Sequence, residues 1–101
     1  MIEPGAGRVT IVSVAEGNVE IKNKLGLHLR AATMLVKTAG KFSAAITLTR
    51  GKDRASARSV IGLMTLGAGL GSKLTVKAEG ADAEQALKAV EALFNDKFGE
   101  E

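Results

Sequence analysis

The run Lys24-Leu25-Gly26-Leu27-His28-Leu29-Arg30-Ala31-Ala32 sets an imidazole and a guanidinium two residues apart, at the entrance to a segment of periodic apolar residues. An imidazole is a nucleophile that works near neutral pH. A guanidinium offers a planar two-pronged contact to the oxygens of a phosphate or carboxylate. If the following segment is helical, its first amides have no intrahelical partner, and with the helix dipole they favour an anion. The residues thus spell an anion site with a nucleophile in it, the side chain of Arg30 and the backbone amides of Arg30 and Ala31 being the expected holders of the charge. The same positive field disfavours an imidazolium, so His28 is expected to act as a neutral nucleophile. Taken singly, His28 also suits an exposed loop or a helix cap, Arg30 a surface charge and Gly26 a simple turn. Their conjunction is what points to chemistry.

Such a loop needs elements to hold it. Arg8 to Val14 alternates between polar and β-branched residues, as a strand does, and Ala15-Glu16-Gly17-Asn18 carries turn residues before Val19-Glu20-Ile21 alternates again, which predicts a hairpin. Asn23 to Leu27 reads as a loop. Ala31, Met34, Leu35, Thr38 and Phe42 fall at helical spacing, with Lys37 and Lys41 near the end of the helix they predict. Ala45 to Arg50 is a strand with Ile46 and Leu48 on one face, and Gly51-Lys52-Asp53 turns it into a shorter strand over Arg54 to Ala57. Ser59 caps a short helix in which Val60, Leu63, Met64 and Gly67 share a face while Ile61 and Leu66 lie off it. One side of so apolar a helix is left exposed, and Gly67, Gly69 and Gly71 end it. Lys73 to Ala78 is a last strand. Asp82, with Gln85 three residues on, sits in capping-box position before a helix whose buried stripe is Ala86, Leu87, Val90, Leu93, Phe94 and Phe98.

The expected fold is α+β, an open-faced β-sandwich in the order β-α-β-β-α-β-α. A mostly antiparallel sheet is covered on one face by the helices. Residues 1–16 form an extension with an additional strand, and residues 17–101 form the domain.

The counts exclude other classes. With no Cys there is no disulfide framework, zinc–thiolate cluster or thiol nucleophile, and the expected compartment is the reducing cytoplasm. A single His rules out multi-histidine metal sites, and no metal or cofactor is expected. Three Phe, with no Trp or Tyr, are too few aromatic platforms for nucleic-acid binding. No run is long enough for a signal peptide or membrane insertion. Lys and Arg number 14 against 11 Asp and Glu, and the resulting +3 is spread along the chain, weakly favouring acidic partners.

Asn23 to Ala32, followed by Ala57-Arg58-Ser59-Val60-Ile61-Gly62-Leu63-Met64, resembles the two signature segments of the HPr family, the histidine-containing phosphocarriers of the phosphoenolpyruvate-dependent phosphotransferase system. The likeness runs in order from about residue 17 to the closing Phe98-Gly99-Glu100. It implies a four-stranded sheet under three helices. It also implies a carrier, not an enzyme with its own product: His28 takes a phosphoryl group on Nδ1 from phosphorylated enzyme I and passes it to a IIA-type acceptor. The family docks both partners on the start of its second helix beside the histidine loop. Leu29, Val60, Ile61 and Met64 match those positions, with Arg30 and Lys37 supplying positive charge. Ser59 matches the serine that a dedicated HPr kinase/phosphorylase modifies in many members. Core packing is the alternative for Val60 and Met64, and a plain helix cap the alternative for Ser59.

Three features depart from the pattern or leave it open. Ala31 stands where the family usually has Pro, which loosens the first helical turn without removing a reacting group. The extension over residues 1–16 is longer than usual. The segment Ser59-Val60-Ile61 and the last helix also resemble the nitrogen-related branch, so both branches stay open. Two functional alternatives stand beside the carrier: a regulatory or protein-binding module of the same fold without phosphate turnover, and a small anion-binding domain using the same helix start.

Overall fold

A computed structural model describes residues 13–100. It contains four strands, β1 (Val14–Glu20), β2 (Ala45–Arg50), β3 (Asp53–Ser56) and β4 (Lys73–Glu79), and three α-helices, α1 (Leu29–Ala39), α2 (Val60–Thr65) and α3 (Ala83–Asn95). A 3₁₀ turn over Lys97–Gly99 closes the chain. The order is the expected β-α-β-β-α-β-α. The sheet is wholly antiparallel in the order β1-β4-β2-β3.

Alternation along the strands decides which face is covered. Ala15 and Val19 of β1, Ile46 and Leu48 of β2, Ala55 of β3, and Leu74, Val76 and Ala78 of β4 are buried. Their neighbours Glu16, Asn18, Lys73 and Lys77 are exposed, which leaves the other face of the sheet open to water. The helices close the core with Ala31, Ala32, Leu35 and Ala39 of α1, Leu63 of α2, and Ala83, Ala86, Val90 and Phe94 of α3. Among the described residues, no helix is long and apolar enough to cross a membrane.

Five local expectations are corrected. The turn predicted at Ala15 to Asn18 is absent: β1 runs straight through it, paired with β4 from Val14↔Glu79 to Glu20↔Lys73. Gly17 is small for a different reason. A Cβ there would lie 2.8 Å from Glu91 Oε2 and 3.4 Å from Leu87 Cδ1, so this glycine lets α3 lie close on the sheet. The additional strand expected over residues 8–14 falls largely outside the described residues, and Val14 itself opens β1.

Helix α1 starts at Leu29 and ends at Ala39, where Ala31 and Phe42 were the expected limits. Its buried stripe is mostly alanine, which brings it close to its neighbours, and Met34 is only partly buried. In α2, Leu66 at the C-cap is buried with Leu63 while Met64 is exposed, reversing the expected roles of Leu66 and Met64. A helix of six residues buries a single line, and the chain beyond it turns Leu66 inward.

Asp82 occupies the N-cap of α3, but its side chain makes no capping bond. Its carboxylate instead accepts the backbone N–H of Ser43 (2.9 Å) and of Ala44 (2.8 Å) and the hydroxyl of Ser43 (3.3 Å). It therefore ties the start of α3 to the connection before β2. The Ser43 amide is the first cause that holds the Asp82 carboxyl below the usual carboxylate range. A depressed folded-state pKa means stability that is present above the ordinary value of about 4 and lost as pH falls through the folded one. Asp82→Asn should therefore lower Tm at neutral pH, and the gap to wild type should shrink below about pH 4. Calorimetry between neutral pH and pH 3 measures it; a gap independent of pH would contradict the role given to the carboxylate.

Phe98 is not part of the α3 stripe. Lys97 and Phe98 take positive φ (55° and 53°), which reverses the chain and seats Phe98 edge-on against Phe94, with ring centroids 5.0 Å apart. Left-handed backbone at two non-glycine residues disfavours the turn, and burial of the Phe98 ring offsets that cost. The reversal carries Glu100 back across the molecule.

Candidate functional site

His28 is the N-cap of α1. Its backbone is extended (φ −84°, ψ −179°), and its Nδ1 accepts the N–H of Arg30 at 3.3 Å. Its other ring nitrogen, Nε2, lies 2.6 Å from Glu100 Oε2. A carboxylate oxygen can only accept, so Nε2 carries the proton in the neutral ring and Nδ1 presents a lone pair at the head of the helix. The Arg30 amide reaches that atom, which also lies at the positive end of the α1 dipole.

Arg30 lies on the same carboxylate. Its Nη1 donates to Phe98 O (2.9 Å) and Glu100 Oε2 (3.2 Å), while its side chain stays 55% exposed. The remaining donors of its fork are available to an incoming anion. The Glu100 side chain is only 16% exposed, and its carboxyl is held below its ordinary range first by the hydrogen bond to His28 and then by Asn23 and Arg30.

Beneath the site, the loop is fixed by its backbone. Gly26 takes φ +68°, and a Cβ on it would lie 2.5 Å from Ala68 O and 2.9 Å from Gly69 Cα. The chain after α2 therefore packs directly on the histidine loop. Leu27 N–H donates to Ala68 O at 2.9 Å, and Asn23 Nδ2 donates to Gly26 O at 2.8 Å. Neither Glu100 nor Asn23 was singled out for the site by residue spacing. Glu100 is 72 positions from His28, too far for any periodicity to report. Asn23 looks like any loop asparagine, and only its complete burial sets it apart.

The other candidates are distributed along α1 and α2. Leu29, Ile61 and Met64 are 60%, 79% and 42% exposed, and Val60 is half-buried against the core. Such a group of exposed apolar side chains on two packed helices is unusual on a water-facing surface. Ser59 caps α2, its Oγ accepting the Gly62 N–H at 3.0 Å. It lies at the end of α2 away from the histidine loop, since the chain leaving the other end is what meets Leu27. Next to it, Arg58 Nη2 donates to Phe42 O (2.7 Å) and, at longer range, to Ala39 O and Ala44 O, joining the C-terminal end of α1 to the start of α2. Lys37 is exposed in the last turn of α1, about 10 Å along the axis from Arg30. The two cations therefore mark opposite ends of the helix.

Comparison with known proteins agrees with this geometry. The family model for the PTS HPr component phosphorylation site matches residues 15–96. Phosphocarrier protein NPr of Shewanella violacea is 49% identical over 85 residues, covering 84% of this chain and 93% of its own. Phosphocarrier protein HPr of Treponema pallidum is 42% identical over 83 residues, covering 82% and 94%. A crystal structure of HPr from Thermoanaerobacter tengcongensis superposes with a TM-score of 0.82 at 45% identity, covering 86% of this chain and 98% of that one. With the fold, the signature segments and these relatives in agreement, the chain belongs to the HPr family of phosphocarrier proteins of the phosphotransferase system.

Proposed function

We propose that this protein carries a phosphoryl group on His28 Nδ1, taking it from phosphorylated enzyme I and giving it to a IIA-type acceptor. The observation that carries the reading is the pairing of His28 Nε2 with Glu100, which leaves Nδ1 as the unprotonated ring nitrogen at the start of α1, its lone pair met by the Arg30 N–H at 3.3 Å.

In the transfer, the Nδ1 lone pair forms the new N–P bond in line as the N–P bond to the donor histidine breaks. The donor ring leaves as neutral imidazole. The His28 ring gains positive charge, which Glu100 is placed to balance through Nε2–H, and no proton need be moved between the partners. The transferring group has a loose transition state, so positioning and charge compensation do most of the work. The Arg30 fork and the amides of Arg30 and Ala31 supply that compensation. Ala31, unlike the proline usual in the family, keeps its N–H for the purpose. The Glu100 carboxylate beside an arriving dianion works in the opposite direction, keeping the phosphohistidine transferable.

Leu29, Val60, Ile61 and Met64 form the docking surface in this reading, with Arg30 and Lys37 steering acidic partners by raising the association rate. Phosphorylation of Ser59 by an HPr kinase/phosphorylase is part of the same proposal. A dianion at the start of α2 suits the helix dipole and repels acidic partner surfaces.

The test is incubation with enzyme I and labelled phosphoenolpyruvate. Stoichiometric label, acid-labile and alkali-stable, is the expected outcome. Binding of phosphorylated enzyme I without label transfer would instead select the regulatory module.

A further inference from the structure

Asn23 is completely buried, and it is the one polar side chain among the buried residues described. Its Oδ1 has no hydrogen-bond partner in the protein. An orphaned buried acceptor opposes folding, and an apolar side chain of similar size would avoid the cost. The accounting for Asn23 therefore has to come from its other end. Both Nδ2 hydrogens are used there: one goes to Gly26 O at 2.8 Å, inside the histidine loop, and one to Glu100 Oε1 at 3.1 Å. The opposite carboxylate oxygen, Oε2, is the one that meets His28 Nε2 and Arg30 Nη1.

We infer that Asn23 is a positioning residue for phosphoryl transfer, orienting the Glu100 carboxylate from below so that its outer oxygen sets the tautomer and ring angle of His28. The inference rests on His28 being the phosphoryl acceptor. One planar amide connects the loop that bears the imidazole with the segment after the 3₁₀ turn that bears its partner. With Oε1 held by Nδ2, rotation about the last Glu100 bond is stopped, and Oε2 stays in line with Nε2. Without the amide, Glu100 keeps its contacts to His28 and Arg30 but loses the anchor that defines its plane. A preorganised partner is then replaced by a mobile one.

The experiment combines Asn23→Leu, which removes both donors while keeping the branching of the side chain, with Glu100→Gln. In folded Asn23→Leu the imidazole ¹⁵N shifts of His28 should move toward one another as the tautomers mix. Label uptake should slow about tenfold, the effect of losing one hydrogen bond to a charged group, with KM for phosphorylated enzyme I unchanged. Adding Glu100→Gln to Asn23→Leu should slow it little further, because both act on one contact. Unchanged ring shifts and an unchanged rate in the folded variant would overturn the inference. If Asn23→Leu does not fold, Glu100→Gln alone reads the link from the other side: the Asn23 side-chain amide protons should shift, and their failure to do so overturns it equally. Ring shifts that respond in a protein that takes no label would keep the positioning role and remove the carrier reading, so the two failures are distinguishable.

Discussion

His28→Ala is expected to fold and to accept no label from phosphorylated enzyme I. The described structure offers no second imidazole, and His28 is the only histidine in the chain. Removing a nucleophile costs orders of magnitude, about 10⁴-fold or more where the residue forms the covalent bond. The effect on stability should be small by comparison. His28 is an N-cap whose Nδ1 satisfies one helix amide, so alanine should cost about 1 kcal/mol. His28→Asn separates the two roles: asparagine is a favoured N-cap but cannot carry the phosphoryl group. It should recover most of the lost stability while remaining inert. Urea denaturation and label uptake measured on the same preparations test the pair, and label on either variant would refute the assignment of His28.

Gly26→Ala should have the largest effect on the fold and should disturb the site with it. Two costs coincide at this position. Its φ of +68° costs an L residue roughly 1–2 kcal/mol. The new methyl would also meet the Ala68 carbonyl oxygen at 2.5 Å, and that oxygen is the acceptor of the Leu27 N–H. Relief requires the histidine loop and the segment after α2 to separate, losing a hydrogen bond worth about 1 kcal/mol. The expected destabilisation is about 3 kcal/mol, at the upper end of ordinary single substitutions. Moving His28 by an ångström from its alignment should slow transfer about 100-fold. Gly51→Ala is the comparison. It shares a positive φ (+60°) but meets nothing within 4 Å, so it should cost only the backbone term and leave transfer unaltered. Equal effects of the two substitutions would show that steric contact with Ala68 is not what fixes the loop.

The balance at His28 follows from three charges of known position. In the proposed carrier, the head of α1 and the Arg30 guanidinium would favour a phosphoryl group on His28, and Glu100 would disfavour its dianionic charge while favouring the cationic ring. A carrier needs both influences. Attraction alone would make a trap, and repulsion alone would prevent loading.

Much of this was legible in residue order because it depends on neighbours a few positions apart. Alternation marked β2, β3 and β4; the period of Ala31 and Leu35 marked α1; Ser59 marked the start of α2; and the adjacency of His28 and Arg30 at a helix start marked the site. The errors have a common cause. Gly17 sits among turn residues, and because glycine serves both turns and close packing only the approach of α3 distinguishes the two. Asp82 stood in capping-box spacing, yet the amides of Ser43 and Ala44, some forty positions away, compete successfully for its oxygens. Phe98 continued a helical period, but burial against Phe94 on a reversed backbone won over continuation of α3.

The sequence by itself determined the order of elements and placed one nucleophile and one cation at the start of a helix, since helix caps and strand faces are properties of short stretches of chain. Tertiary structure alone decided which nitrogen of His28 is left unprotonated. That choice belongs to Glu100, brought back by the Lys97–Phe98 reversal and steadied from below by Asn23. A hydrogen bond between residues 72 positions apart leaves no periodic trace, because the chain between them sets its geometry only once the sheet and helices have packed.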